Sequence, residues 1–455
     1  MFTGLEELLA YGVEWKDNVA DPHITRIGNM SLHKTLPIQS QLKGCIAQKD
    51  KVMYWLAEDD WRFRKDPIYM DVDLSNDVEH PNFGDASIAS LAVGQFVKAG
   101  THIGKIAFIE GTSVTVEWEE DLADISAELT TITKLEIGSR LDGYDGTVRV
   151  YCPNFYIKSQ VTGNTRRVWL STVKIDNTWT YQHEILIDAY RSTVLNTVPE
   201  NMGYLSTLPV NSAISVVNTA TYCRGGGNRV ANDKYLTGAD DTTIDIFRTD
   251  LGKPRTSLGR PIMRTYSRNA GNEMLSYNQY KNIFYWLYVV EYANFNCQEA
   301  YNATLTEDGY HQGGMGLAVT TMNSNHWYWY NGFYPLTPCG YCNEFGNGTG
   351  IKDMVITAPS ASDGSTTQTY TFQVPRWRGF DNPFGDIWTN LDGIVIERTT
   401  DLSNVWTTDD VSEYTDVIGN KTLAGKECLG EGYIKLFDLG ETAEIIPSVT
   451  GASPT

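Results

Sequence analysis

Three acidic residues, Asp381, Asp386 and Asp392, fall at short intervals beside Trp377 and Trp388, a combination suited to a sugar-binding cleft. Glycoside hydrolysis needs two carboxyl groups about 5–10 Å apart. The chain carries 56 Asp and Glu, so short spacing between carboxylates also arises by chance. Other chemistries lack parts. There is no G-x-S-x-G elbow and no HExxH, and Glu184 follows His183 directly, which on a strand puts the two on opposite faces. Gly225-Gly226-Gly227 and Gly313-Gly314-Met315-Gly316 do not continue as phosphate loops and read as glycines that permit positive φ. Cys339 and Cys342 form the single CxxC, two zinc ligands of the four required, and read as two reduced loop thiols. The sequence therefore predicts no catalytic residue, no metal and no cofactor.

Binding is better provided for. In Trp327-Tyr328-Trp329-Tyr330 a strand would set Trp327 and Trp329 on one face, and Tyr328 and Tyr330 on the other. One pair can enter a core while the other offers flat amphipathic surface to a sugar or a protein. The alternative, that all four are core or interface residues, stands beside it. These four are the candidate ligand-binding residues.

The elements that must position such groups are mostly strands. Lys51 to Leu56, Gly146 to Tyr151, Phe155 to Lys158 and Val168 to Val173 are short apolar or aromatic segments between polar turns. Val97-Lys98-Ala99-Gly100, Ile106 to Ile109 and Ser113 to Trp118 alternate around glycine turns, a hairpin signature. The clearest helix runs from Ser276 to about Ala293. Ser276 and Gln279 make a capping box, and Tyr280, Ile283, Phe284, Leu287 and Val290 form one apolar stripe, thickened by Trp286 and Tyr292. A second helical piece is expected over Cys297 to Ala303. Gly4 to Leu9 begins as an amphipathic helix that Gly12 would end, either an arm that packs on a partner or a cap on its own domain.

Composition narrows the partners. With 36 basic against 56 acidic residues the formal charge is -20, which disfavours nucleic acid and anionic membranes. The one basic cluster, Trp61-Arg62-Phe63-Arg64-Lys65, reads as a solvated loop. Met1 to Ala10 lacks the basic start and apolar core of a signal peptide, and the longest apolar run, Ile283 to Val290, is too short for a bilayer. A soluble protein made in a cytoplasm is expected. Seven scattered cysteines do not form a disulfide framework.

Several strings are similar to virion-associated fibre and surface proteins of phages and prophages of gut Bacteroidales, including crAss-like phages. They are Arg26-Ile27-Gly28-Asn29-Met30 with Leu36-Pro37-Ile38-Gln39, Ser215 to Thr219 with Tyr222-Cys223-Arg224, and Tyr285-Trp286-Leu287 with Glu291-Tyr292-Ala293. The longest is Arg378-Gly379-Phe380-Asp381-Asn382-Pro383-Phe384-Gly385-Asp386-Ile387-Trp388 with Asp392-Gly393. The order of the helix and the Gly385-x-x-Trp388 turn also resembles formylglycine-generating-enzyme-type and phage tropism proteins, which share a C-type-lectin-like fold. Asp386 and Ile387 depart from their loop, and the paired catalytic cysteines of that enzyme are not identifiable, so only the fold carries over.

The resemblance implies a β-rich α+β chain. Residues 1–71 with 142–200 would form an N-terminal β-rich attachment domain, 72–141 an inserted small β-domain, and 201–455 a C-type-lectin-like domain. Gly379, Phe384, Gly385, Trp388 and Gly393 would be the structural loop of the last. The function implied is a non-enzymatic structural protein of a bacteriophage virion, a head or tail fibre subunit contacting other virion proteins and a host-surface glycan. A homotrimer is the expectation from phage fibres. The competing readings are a capsid-decorating or tail-collar component without a receptor role, and a polysaccharide-degrading enzyme.

Overall fold

The computed structural model describes residues 4–16, 23–75, 82–83, 93, 96–99, 102–110, 113–118, 131–218, 251–255, 258–316, 337–359, 367–385, 389–399, 402–429, 437–438, 446–447 and 449–450. It is β-rich, with several antiparallel sheets and few helices. Among the described residues no helix is long and apolar enough to cross a membrane.

Two sheets and one helix surround the main core. The first sheet has five strands, in the order Thr180–Gln182, Phe155–Thr162, Thr165–Ser171, Ala10–Lys16 and Thr25–Gly28. Its registers place Val13 opposite Val168, and Tyr11 and Ile157 opposite Leu170. Alternation along each strand turns these apolar side chains to one face. The second sheet orders Ile185–Asp188, Thr147–Cys152, Lys43–Gln48 and Lys51–Trp55. The largest apolar cluster joins Tyr11, Val13 and Leu170 of the first sheet, Ile46 and Val150 of the second, and Leu287 and Val290 of the helix. It draws on residues from Tyr11 to Phe380.

Gly12 lies inside the Ala10–Lys16 strand and does not end the preceding helix, Glu6–Leu9, as the sequence suggested. A Cβ there would stand 2.1 Å from the Val168 carbonyl oxygen, so the strand pair closes only around glycine. The basic cluster at Trp61 is also not a solvated loop. Trp61 is fully buried, Phe63 begins a long strand, and the two exposed members pair with acids, Arg62 with Asp60 and Lys65 with Glu58. Arg64 is buried and pairs with Asp145 at 3.0 Å.

Strands Phe63–Ser75, Asn82–Phe83, Phe96–Ala99, His102–Glu110, Ser113–Trp118 and Thr131–Gly138 close into a barrel. Further along, Gly350–Pro359 and Thr367–Trp377 form a long hairpin, and Ile394–Arg398, Leu402–Thr407 and Thr422–Leu429 form an antiparallel sheet.

The central helix starts at the capping box of Ser276 and Gln279, with both reciprocal hydrogen bonds made. It passes through a π-helical stretch, Tyr280–Trp286, continues as Leu287–Tyr292, and stops at Ala293 with φ 51°. Ile283, Leu287, Tyr288, Val289 and Val290 are all at most 1% exposed, so packing surrounds the helix. Trp15 stacks on Trp286 at 5.9 Å. The Gln39 amide donates to the Leu287 carbonyl at 3.0 Å and accepts from the Tyr11 hydroxyl at 2.7 Å. At the C-terminus Arg26 donates to the Glu291 carbonyl at 3.0 Å and the His311 carbonyl at 2.7 Å, supplying a cation where orphan carbonyls point. The helical piece expected after it is instead turns and a two-residue strand, Tyr301–Asn302, paired with Gln312–Gly313.

Beside this end lies His33, 2% exposed, its Nε2 3.0 Å from the Ile27 carbonyl oxygen and its ring edge-on to Tyr11 at 5.4 Å. Burial pushes the imidazole down to about 4, against an ordinary 6.5. Below pH 6.5 the unfolded chain takes up a proton that the folded chain refuses until about pH 4. Stability is therefore full above pH 6.5 and falls as the pH drops through that window. The loss from this residue approaches about 3 kcal/mol at the low end. Urea unfolding at a series of pH values should show the slope, and His33→Gln should remove it; an unchanged slope in the variant would count against His33.

Candidate functional site

A half-open groove of about 1300 Å³ is lined by the second sheet and by the start of the central helix. Trp55 and Tyr151 of the second sheet line it, as do Tyr280 and Phe284 from the start of the central helix, with Phe380. Asp188, Tyr190 and Asn382 also contribute to the lining. Pockets for drug-sized molecules occupy about 300–1,000 Å³. This one suits a longer ligand.

The aromatic wall is fixed from behind. Trp55 meets Tyr151 edge-on at 5.8 Å, and the Lys43 ammonium sits 4.0 Å from the Trp55 ring centroid. The Tyr151 hydroxyl donates to Glu184 at 2.9 Å. Partial burial, reinforced by that carboxylate, pushes the Tyr151 hydroxyl up to about 12, so it remains a donor. Tyr190 is almost fully buried; burial raises its hydroxyl far above the ordinary value, and it donates to Asn343 at 2.6 Å.

Phe380 is placed by a tight hairpin. Trp377 pairs with Phe380, leaving Arg378 and Gly379 as the central residues, with φ 50° and 89°. Positive φ at both positions is the geometry of a type I′ turn, which glycine takes without strain. A Cβ on Gly379 would also meet the Trp61 ring at 2.8 Å. Beyond it Phe384 packs on Tyr288 at 5.0 Å and Trp377 at 5.9 Å. Arg191 braces the next turn, donating to the carbonyls of Asn382 and Gly385 and to the Thr389 hydroxyl. Gly393 has φ 67°, beside the point where Asp392 joins the helix cap through Asp392 N–H to Leu275 and Tyr277 N–H to Asp392.

Two of the three carboxylates with hydrolytic potential are committed elsewhere. Asp381 pairs with Arg376, and Asp392, fully buried, takes a two-point contact from Arg264 at 2.6 and 3.0 Å. Asp386 and Trp388 lie outside the described residues, as do the candidate binding residues Trp327, Tyr328, Trp329 and Tyr330. The CxxC thiols are buried: Cys339 Sγ lies 3.2 Å from the Arg191 carbonyl oxygen and Cys342 Sγ 3.6 Å from that of Val374. Burial raises the Cys342 thiol far above its ordinary value. No group of three or more His, Cys, Asp and Glu able to hold a metal occurs among the described residues.

Of the five loop residues, the structure thus brings Gly379 and Phe384 against the main core, and Gly385 to the Arg191 brace. Gly393 lies at the helix cap. Sequence reasoning missed Trp55, Tyr151 and Arg191. Trp55 and Tyr151 sit on segments read as strands, but no local pattern marks residues 96 positions apart as one wall. Comparison of the chain with protein families, curated proteins and solved structures finds no match.

Proposed function

We propose that this chain is a non-enzymatic structural subunit on the surface of a bacteriophage particle, in a head or tail fibre, and that the groove is its recognition face for a host-surface glycan. The resemblance of Arg26 to Met30 and of Arg378 to Trp388 to virion proteins of Bacteroidales phages suggests the particle. The groove, large and walled by braced aromatic rings, carries the recognition role. Sugars offer apolar C–H faces that stack on such rings and hydroxyls that polar side chains align. A C-type-lectin-like module formed by 201–455 and a homotrimer of the whole chain belong to this reading.

Gold-labelled antibody against the chain should decorate a discrete set of sites on purified particles. The purified protein should bind host cells, and Trp55→Ala should weaken that binding about 3- to 10-fold, the loss of one aromatic contact. Light scattering should give three times the chain mass. Particles without label would overturn the virion assignment, and cell binding indifferent to Trp55→Ala would overturn the groove.

A further inference from the structure

The charges around the groove point beyond recognition in general to one class of saccharide, an inference that rests on the groove being the recognition face. Four cations and five acids contribute to the lining. Two of the cations are held by the protein. Arg149 faces Asp188 at 3.2 Å and donates to the Lys49 carbonyl, while Arg191 is spent on the Asn382 and Gly385 carbonyls and Thr389. On the acidic side Glu184 accepts only from the neutral Tyr151 hydroxyl among its hydrogen bonds, and no ion pair holds Asp50 among the described residues. Of the other two cations, Arg255 is also partnered within the protein and Lys49 is a single ammonium, so a uronate or sialate would meet these carboxylates without a forked Arg donor set free to receive it, and like charges at short range disfavour binding.

Neutral hydrogen-bonding capacity is present instead. Asn272, Gln279 and Asn390 line the groove. Asn382 is 5% exposed, has φ 48°, and its Oδ1 has no hydrogen-bond partner among the described residues. A buried amide oxygen left unpaired is costly, and a ligand hydroxyl that donates to it removes that cost.

We propose that the groove binds a neutral saccharide of several residues, stacked on Trp55 and Tyr151, with Asn382 accepting a hydroxyl hydrogen bond. The test is tryptophan-fluorescence and calorimetric titration of the full chain with a neutral set (dextran, mannan and cello-oligosaccharides) and an acidic set (polygalacturonate and hyaluronan oligosaccharides). At least one neutral probe should bind with an affinity that changes less than twofold between low and high salt. Trp55→Ala should weaken it about 3- to 10-fold, and Asn382→Asp, which keeps the acceptor, should retain more affinity than Asn382→Ala. Circular dichroism of each variant separates lost binding from lost fold. Binding of acidic probes alone, or affinity that falls steeply with salt, would overturn the neutral class while leaving groove recognition intact. Neutral binding indifferent to Trp55→Ala and to both Asn382 variants would overturn the site. Failure of both probe sets, with cell binding still sensitive to Trp55→Ala, would overturn the saccharide and leave the recognition face standing.

Discussion

Replacing Asp381 by alanine should lower the unfolding free energy by about 3–5 kcal/mol, the cost of leaving a buried cation without its partner. The Arg376 side chain is 0% exposed and has no route to solvent. Its guanidinium is held by Asp381, by the Gly346 carbonyl at 2.9 Å and by Asn343 at 3.5 Å, with its carbon 3.9 Å from the Trp61 ring centroid. The carboxylate is the one formal negative charge in that set. Without it the cation keeps its desolvation penalty and loses its counter-charge. Asp381→Asn should cost less, because an amide oxygen still accepts. A double variant, Arg376→Met with Asp381→Leu, should recover most of the loss, since it removes the buried charges together. Urea unfolding followed by tryptophan fluorescence reads all three. A loss under 1 kcal/mol for Asp381→Ala, or a double variant no better than the single, would sink the charge argument.

Asp381 also shows what sequence could and could not supply. Its position near Trp377 and Trp388 suggested a cleft carboxylate, and nothing local distinguishes that role from a buried counter-ion. The deciding partner, Arg376, is five residues away but faces Asp381 only because the hairpin at Arg378-Gly379 folds back. The central helix was legible for the opposite reason. Its cap, its stripe and its end all lie within Ser276 to Ala293, and local periodicity encodes them. Even there the π-helical stretch was hidden, and so was the Gln39 side chain that meets the Leu287 carbonyl from 248 positions away. The helix Arg260–Asn269 was missed although Pro261 sits at its start, because its composition is polar and the residues it buries, Arg264 and Ser267, are not apolar. The groove was the least legible feature. Its walls come from strands near residues 55 and 151 and from a helix near 280, and only long-range pairing joins them.

The same reasoning gives the second large effect, at another buried acid of the core. Glu291, 0% exposed at its side chain, is the second-from-last residue of the central helix and is approached from three directions. Arg378 reaches it at 2.7 Å through Nη2 and 3.2 Å through Nε, Trp377 donates its indole N–H at 3.3 Å, and His311 stands 3.7 Å away. Arg378 holds φ 50° in the type I′ turn, so the ion pair and the turn that shapes the groove wall are one assembly. Glu291→Ala should therefore cost about 3–5 kcal/mol and also loosen the Trp377–Phe380 hairpin. Glu291→Gln keeps the acceptor for Trp377 and should cost less, while still weakening Arg378. The two consequences are separable: hydrogen exchange at the Phe380 amide reports the hairpin, and urea unfolding reports the whole. Destabilisation with no faster exchange at Phe380 would show that the turn holds itself, and that Glu291 acts on the helix alone.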